Sequence, residues 1–242
     1  MEKTTKINPS IFKAYDIRGI FRVDFDEEAA YKLGRAYGRM RKKELDGKNN
    51  ISIVVGADMR LSSPALKEKL IEGLCDSGVD VIDIGLASTP TFYFAVAHYD
   101  YDGGILVSAS HNPKEYNGFK LVRAKALPIS NETGILELRD MIIERSLAPL
   151  KGAKLLERGK ITKKENVLTE QTLHDLKYAD IAKIKPFKIA VDPANSMGAL
   201  YFDELFKHLP CDIVRINWKL DGNFPAHEAD PFKHENLRDL CA

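Results

Sequence analysis

Between residues 51 and 109 the chain alternates short apolar runs with longer amphipathic ones: ISIVVG, SPALKEKLIEGLCDSG, VDVIDIG, TPTFYFAVAHY and GILVSA. Strand, helix, strand, helix, strand is the grammar of an α/β fold, and no other feature of the sequence narrows the architecture as far. The first of these helices carries its own punctuation. Ser63 reads as its N-cap, Pro64 as its first helical residue and Gly78 as its stop, while Leu66, Leu70 and Leu74 share one face. Residues 26 to 43 read as an earlier amphipathic helix ending in RMRKKE, where basic side chains complement the helix dipole and a solvated face explains them.

After Val122 the pattern changes to LPISNETGILELRDMIIERS, a turn and a helix, and then to the Gly- and Lys-rich LAPLKGAKLLERGKITKKEN. A domain boundary is expected between about residues 147 and 165, giving one α/β unit over 1–150 and a second over 160–242. The second block reads as a helix from about Leu168 to Ala182, the strand FKIAVD, the loop PANSMG, the helix ALYFDELFKHL and the strand CDIVRIN. It echoes the first block, and duplication and chance both remain open as explanations. Two strands make a thin sheet, so this unit reads as incomplete. The closing DPFKHENLRDL has Asp230 or Pro231 as a helix start signal.

At 242 residues the chain suits one or two domains of about 100–200 residues each. Lys plus Arg number 36 against 35 Asp plus Glu, so no global field recruits nucleic acid or an anionic membrane. Cys75, Cys211 and Cys241 form no C-x-x-C pair and are odd in number, which speaks against a disulfide framework or a zinc ribbon. The polar MEKTTKINPS start and the lack of a long apolar run give the expectation of a cytoplasmic chain without a membrane span.

The segment GILVSASHNPKEYNGFKLV places a polar loop at the tip of a buried strand, where open α/β sheets bind ligands. Asn112-Pro113 and Asn117-Gly118 are expected to break the chain before Phe119–Val122 resumes as a strand. G-x-G-x-x-G, Walker A and G-x-S-x-G patterns are absent. Ser110 precedes His111, but adjacent residues rarely aim side chains at one another, so a nucleophile–base pair is not expected. Phosphoryl transfer is the other use of such a loop, with Ser110, His111, Asn112 and Lys120 as candidates. By composition alone, a serine-rich turn with a solvated Lys120 is the favoured of the two readings. In FKAYDIRGIF, Arg18 has the planar fork that suits a phosphate, or else ties to Asp16. In GADMRLSS, Asp58 and Arg60 follow a strand, and the following helix start reads as an anion site or as simple capping.

Taken together and in order, FKAYDIRGI, GADMRLSSPAL, LVSASHNPKEYNGFKLV and LDGNFPAHEADPFKHENL resemble the α-D-phosphohexomutase family, specifically its phosphomannomutase/phosphoglucomutase branch. SASHNP with YNGFK carries most of that resemblance, and the wording of AYDIRG and EYNGFK points to the branch. The resemblance implies mixed sheets with helices on both faces, here the first domain and most of the second. It implies that Ser110 is a phosphoserine that phosphorylates a hexose phosphate and is rephosphorylated by the reoriented bisphosphate. It assigns His111 and Lys120 to proton transfer and charge stabilisation, and places Arg18 and Tyr15 at the same site. Tyr15, Arg18, Asn112 and Lys120 would bind substrate, and Arg60 would support the loop from behind. A phosphoserine carries roughly −1.5 to −2 charges near pH 7 and needs such cations.

Ala57 stands where the family often has an arginine, and Ser196 where it usually has a glycine. The larger departure is length, because family members have four domains. The aspartate metal loop, the sugar-reading loop and the loop gripping the distal phosphate have no counterparts here. The family uses one Mg2+ per active site and a hexose 1,6-bisphosphate activator; of the metal ligands only Ser110, through its phosphate, is present. Asp221-Gly222 reads as a turn rather than a metal ligand. The expectation is therefore a phosphohexomutase portion acting on glucose or mannose phosphates, poorly active alone. Its rivals are a noncatalytic truncated chain, a subunit completed by a C-terminal half or by self-association, and a sugar-phosphate binding module.

Overall fold

A computed structural model describes residues 7–143 and 157–242. Much of the expected boundary, residues 147–156, lies outside the described residues. In chain order the first unit comprises β1 (Ile17–Ile20), α1 (Glu27–Glu44), β2 (Ser52–Ala57), α2 (Ser63–Asp76), β3 (Asp80–Leu86), α3 (Thr89–His98), β4 (Gly103–Val107), β5 (Tyr116–Arg123), α4 (Leu136–Ile143) and β6 (Ile161–Lys163). Its six strands form one mixed sheet in the order β1-β5-β4-β2-β3-β6. The β1–β5 and β5–β4 pairs are antiparallel, and the rest are parallel.

Alternation along the strands sends side chains to two separately sealed faces. Ile53, Val55, Ile105, Val107 and Phe119 pack with Leu33, Leu66, Leu70 and Leu74 beneath α1, α2 and α4. Val54, Leu106 and Val122 pack with Phe92 and Val96 of α3. Each aliphatic side chain buried this fully contributes about 1.5–3 kcal/mol relative to exposure. That leaves the β2 and β4 carboxyl ends on a rigid platform.

The α2 start differs by one residue from its expectation. Ser62 is the N-cap, Ser63 is the first helical residue, and Pro64 the second. Ser63 does not cap because its hydroxyl donates to Asp58 Oδ1 at 2.6 Å. Gly78, at φ +78°, follows the helix as expected. Asn117-Gly118 is not a turn: both residues lie inside β5. A Cβ at Gly118 would come within 2.2 Å of the Ile17 carbonyl, so the glycine is there to let β1 approach, and the pairing holds it extended. Residues 161–163, expected on the far side of the boundary, add a parallel edge strand beside β3. All three are exposed, and backbone pairing rather than apolar patterning makes that strand.

The second unit comprises α5 (Val167–Leu176), β7 (Lys188–Val191), α6 (Gly198–Leu205), β8 (Asp212–Arg215) and α7 (Arg238–Cys241). β7 and β8 pair in parallel as a two-stranded sheet, the thin sheet expected. α5 ends at Leu176 rather than near Ala182: residues 177–180 are exposed and turn instead, with the Lys177 and Tyr178 N–H groups bonding back to His174 O and Asp175 O. Asp230 starts a turn, accepting from the Phe232 N–H at 3.1 Å; a 3-10 turn follows at His234–Leu237 and the α-helix begins at Arg238.

Candidate functional site

The site forms where β4 ends. The Ser108 N–H donates to Gly118 O, so the β4–β5 ladder continues to the first loop residue, and Gly118 pairs onward with Arg18. Ser108, Gly118 and Arg18 therefore form one row across three strands. Lys120 lies on the same face one pleat away, opposite Leu106, which packs on the α3 side. Gly118 supplies no side chain in the middle of that row, leaving the space above it to its neighbours.

Ser110 sits three residues beyond the strand, exposed, with φ +57°, a left-handed conformation uncommon for a residue with a Cβ. Three contacts impose it. The Ser110 N–H donates to Ser108 Oγ at 3.1 Å, the Asn112 side-chain amide donates to Ala109 O at 3.0 Å, and Arg60 holds the whole loop from behind. The Arg60 guanidinium donates to the carbonyls of Ser110 (3.0 Å), Asn112 (2.6 Å), Pro113 (2.7 Å) and Tyr116 (3.1 Å). It is 1 % exposed, with Asp58 Oδ2 3.3 Å from its Nε. Burial pushes its pKa below the ordinary arginine value, and the Asp58 charge opposes that shift. Asp58 in turn accepts from the Arg60 and Ser63 donors, and the buried Asn117 amide reaches Ser62 Oγ (2.7 Å) and Ser63 Oγ (2.9 Å). Strand end, loop and helix start are thus one hydrogen-bonded block.

Contrary to the expectation for neighbours in sequence, Ser110 Oγ and His111 Nδ1 lie 3.3 Å apart, since the left-handed turn at Ser110 swings the exposed imidazole back over the hydroxyl. Arg18 is ion-paired with Asp16, the tie read as one alternative from sequence. Lys120 is half-buried: desolvation lowers its pKa, the Asp16 charge opposes this and the Arg18 charge adds to it. Tyr93 of α3, raised by burial and then by the Asp16 charge, belongs to the same neighbourhood and was not singled out in the sequence. Tyr15 projects into solvent at 71 % exposure. The Asn112 amide turns inward to the loop backbone rather than outward. Asp221 accepts from both nitrogens of Asn223 and closes a turn, as read from sequence.

A crevice of about 110 Å³ runs beside Ser110, bounded by Arg60 and Ser88 on one side and by Ser196, Met197 and Phe224 of the second unit on the other. Sites that engulf a small ligand usually hold about 300–1,000 Å³, so this crevice is one wall of a site rather than a closed pocket. A larger cavity of about 480 Å³ opens between the β3 end and α5, away from Ser110. Its Lys67 and Lys164 are already paired with Asp83 (2.5 Å) and Glu170 (2.7 Å). Among the described residues no group of three or more His, Cys, Asp or Glu side chains is placed to hold a metal ion. The donors around Ser110 are hydroxyls, amides and cations, a set that does not by itself fit magnesium.

Sequence profiles for phosphoglucomutase/phosphomannomutase α/β/α domain I and domain II match residues 9–146 and 168–242. A phosphomannomutase of Vibrio cholerae is 41 % identical over 235 residues, covering 95 % of this chain and 49 % of its own length. A phosphomannomutase/phosphoglucomutase of Pseudomonas aeruginosa is 38 % identical over 240 residues, covering 99 % of this chain and 48 % of its own. The crystal structure of a phosphoglucomutase/phosphomannomutase family protein from Burkholderia thailandensis superposes with a TM-score of 0.81 at 33 % identity, over 97 % of this chain and 49 % of that one. The chain spans about half the length of the relatives it matches.

Proposed function

Because the chain belongs to the phosphoglucomutase/phosphomannomutase family and carries its domains I and II, we propose that it is the phosphoserine-bearing portion of an enzyme interconverting hexose 1-phosphates and hexose 6-phosphates. Glucose and mannose phosphates are the proposed substrates. The observation that carries this reading is the clamp of Arg60 on four loop carbonyls, which presents Ser110 exposed at a strand end next to the Arg18 and Lys120 face. A loop fixed in advance does not have to be ordered when charge moves between oxygens.

In the proposed reaction, phosphorylated Ser110 gives its phosphoryl group to a hydroxyl of the bound hexose phosphate. The Ser–O–P bond breaks, a P–O bond to the sugar forms, and the hydroxyl proton leaves to a base. The hexose 1,6-bisphosphate turns over, and its other phosphate returns to Ser110 by the reverse steps. His111, 3.3 Å from Ser110 Oγ, gives a proton to the serine oxygen as it leaves and takes it back when the serine is rephosphorylated. Lys120 and Arg18 oppose the charge of the transferring group, and Tyr15 and Asn112 flank the substrate. The lowered pKa of Lys120 makes it more readily deprotonated than an ordinary lysine. Magnesium belongs to the proposal only for a protein that supplies carboxylate ligands beyond these residues, and no step here passes through it.

Turnover is proposed for the protein completed by a C-terminal polypeptide or by self-association. The exposed Phe187, just before β7, and Val214 of β8 favour that reading over a self-sufficient chain. No described helix is long and apolar enough to cross a membrane, and a cytoplasmic site of action is proposed on the sequence alone. The test is incubation with phosphate-labelled glucose 1,6-bisphosphate, with and without a separately expressed C-terminal half from a relative, followed by peptide mapping. Label on Ser110 that disappears in Ser110→Ala supports the proposal. Label absent from Ser110 under both conditions sinks it.

A further inference from the structure

The turn at 221–224 of the second unit lies against the Met59–Leu61 backbone, which carries Arg60 behind the reactive-serine loop. A Cβ at Gly222 would stand 2.7 Å from Leu61 N and 2.8 Å from Met59 O, so the two backbones touch there and only glycine fits. The turn closes through Phe224 N–H to Asp221 O at 3.0 Å, with Phe224 at φ +50°, a conformation that bulky residues rarely adopt. That conformation carries the ring to the Arg60 guanidinium, 5.0 Å from its centroid. Arg60 has its edges committed to the loop carbonyls and to Asp58, so its flat face is what remains to be covered. An aromatic face both excludes water from it and attracts its charge.

We infer that Phe224 and Gly222 are positioning residues for the Ser110 loop, acting through Arg60, so that docking of the second unit sets the geometry of the phosphoryl-carrying serine. This rests on the proposed role of Ser110 for its catalytic consequence, but not for the mechanical coupling itself. Ser196 and Met197 line the same crevice, but the coupling is argued from the Phe224 ring and the Gly222 backbone alone.

The experiment compares Phe224→Leu, which keeps an apolar cover without a ring, Phe224→Tyr, which keeps the ring, and Gly222→Ala. Amide exchange is followed at Ser110, Asn112 and Tyr116, whose N–H groups are bonded inside the loop, and at Ile216, bonded to Val191 within the second unit. Loss of a desolvated cation–π contact predicts loop exchange faster by about ten- to thirty-fold in Phe224→Leu, with Ile216 unchanged and Phe224→Tyr like the parent. Gly222→Ala is expected to act in the same direction. In parallel, the rate of Ser110 labelling by glucose 1,6-bisphosphate falls in Phe224→Leu at saturating bisphosphate, with the half-saturating concentration unchanged. Loop exchange equal to the parent in Phe224→Leu and Gly222→Ala overturns the inference. So does equal acceleration at the loop and at Ile216, which makes the ring a fastener of the second unit alone. If the parent never labels, the phosphoryl-transfer reading fails and the exchange data still decide the coupling.

Discussion

The β2–α2–β3 and β7–α6–β8 segments are built on one plan. Each is a parallel strand pair around a helix, and each first strand is followed by an aspartate whose carboxylate accepts the N–H two residues on: Arg60 to Asp58 at 3.1 Å, Ala194 to Asp192 at 2.8 Å. Their surroundings differ. Ile53, Val54 and Val55 are 0 % exposed in the middle of six strands, whereas no residue of β7 or β8 is buried. The first aspartate is therefore part of a block seated on two sealed faces. The second is held by polar ties, to the Asn217 amide at 2.8 Å and His227 Nε2 at 3.0 Å. Local turn chemistry sets the shape of a loop, but neighbouring layers set its stiffness, and the stiff copy is the one whose Arg60 holds the Ser110 loop.

The sharpest way to break this comparison is paired core truncation. Leu70→Ala is expected to cost about 2–5 kcal/mol, since its cavity opens in a packed face, while Ile213→Ala on β8 costs about 1 kcal/mol or less. Urea unfolding read by far-UV circular dichroism for the first and by the lone Trp218 for the second measures both. Equal losses would mean that the second sheet is packed as tightly as the first. Next in size, Arg60→Met should destabilise by about 2–4 kcal/mol by leaving Asp58 and four carbonyls without their donor. Arg60→Lys should recover little of that, because a point charge cannot serve four acceptors at fixed angles.

A smaller effect concerns His227. Both ring nitrogens face acceptors, Asp192 Oδ2 and the Glu228 carbonyl at 2.9 Å, so the imidazolium is the form that satisfies them. Burial opposes the charge, but the Asp192 hydrogen bond, the Glu228 carbonyl and the Asp192 and Asp239 charges outweigh it, and the pKa is raised. A raised folded pKa gives stability that is fully present below the ordinary value near 6.5 and is lost as pH rises through the folded value. The urea midpoint read by Trp218 should therefore fall with rising pH above about 6.5, and His227→Gln should remove that dependence. A midpoint that rises over the same range would reverse the assignment. Smallest of all, Val214→Lys on the exposed face of β8 should change stability by no more than about 0.5 kcal/mol in the same assay.

The alternating pattern from residue 51 was enough for the elements of the first sheet, because strands and helices buried on one side must repeat at their own periods. The edge strand at 161–163 was not legible, since exposed backbone pairing leaves no apolar signature. Asn117-Gly118 misled for a related reason: turn-prone residues are used inside β5, where a close strand and two serine hydroxyls need them. Within the site, the positions of Ser110, His111 and Lys120 followed from a polar loop at a strand tip. Tyr93 and Phe224 carried no such mark, because an aromatic side chain near polar neighbours reads the same in a core as beside an ion pair.

By itself the sequence determined the α/β alternation, the serine loop at the end of a buried strand and the kinship those motifs carry, since each depends on residues adjacent in the chain. Only the tertiary structure decided that Arg60 grips four carbonyls across a separation of 50 residues or more, and that Phe224 covers its face. The physical reason is that a guanidinium and a ring are each compatible with many partners, and packing alone selects which ones they meet.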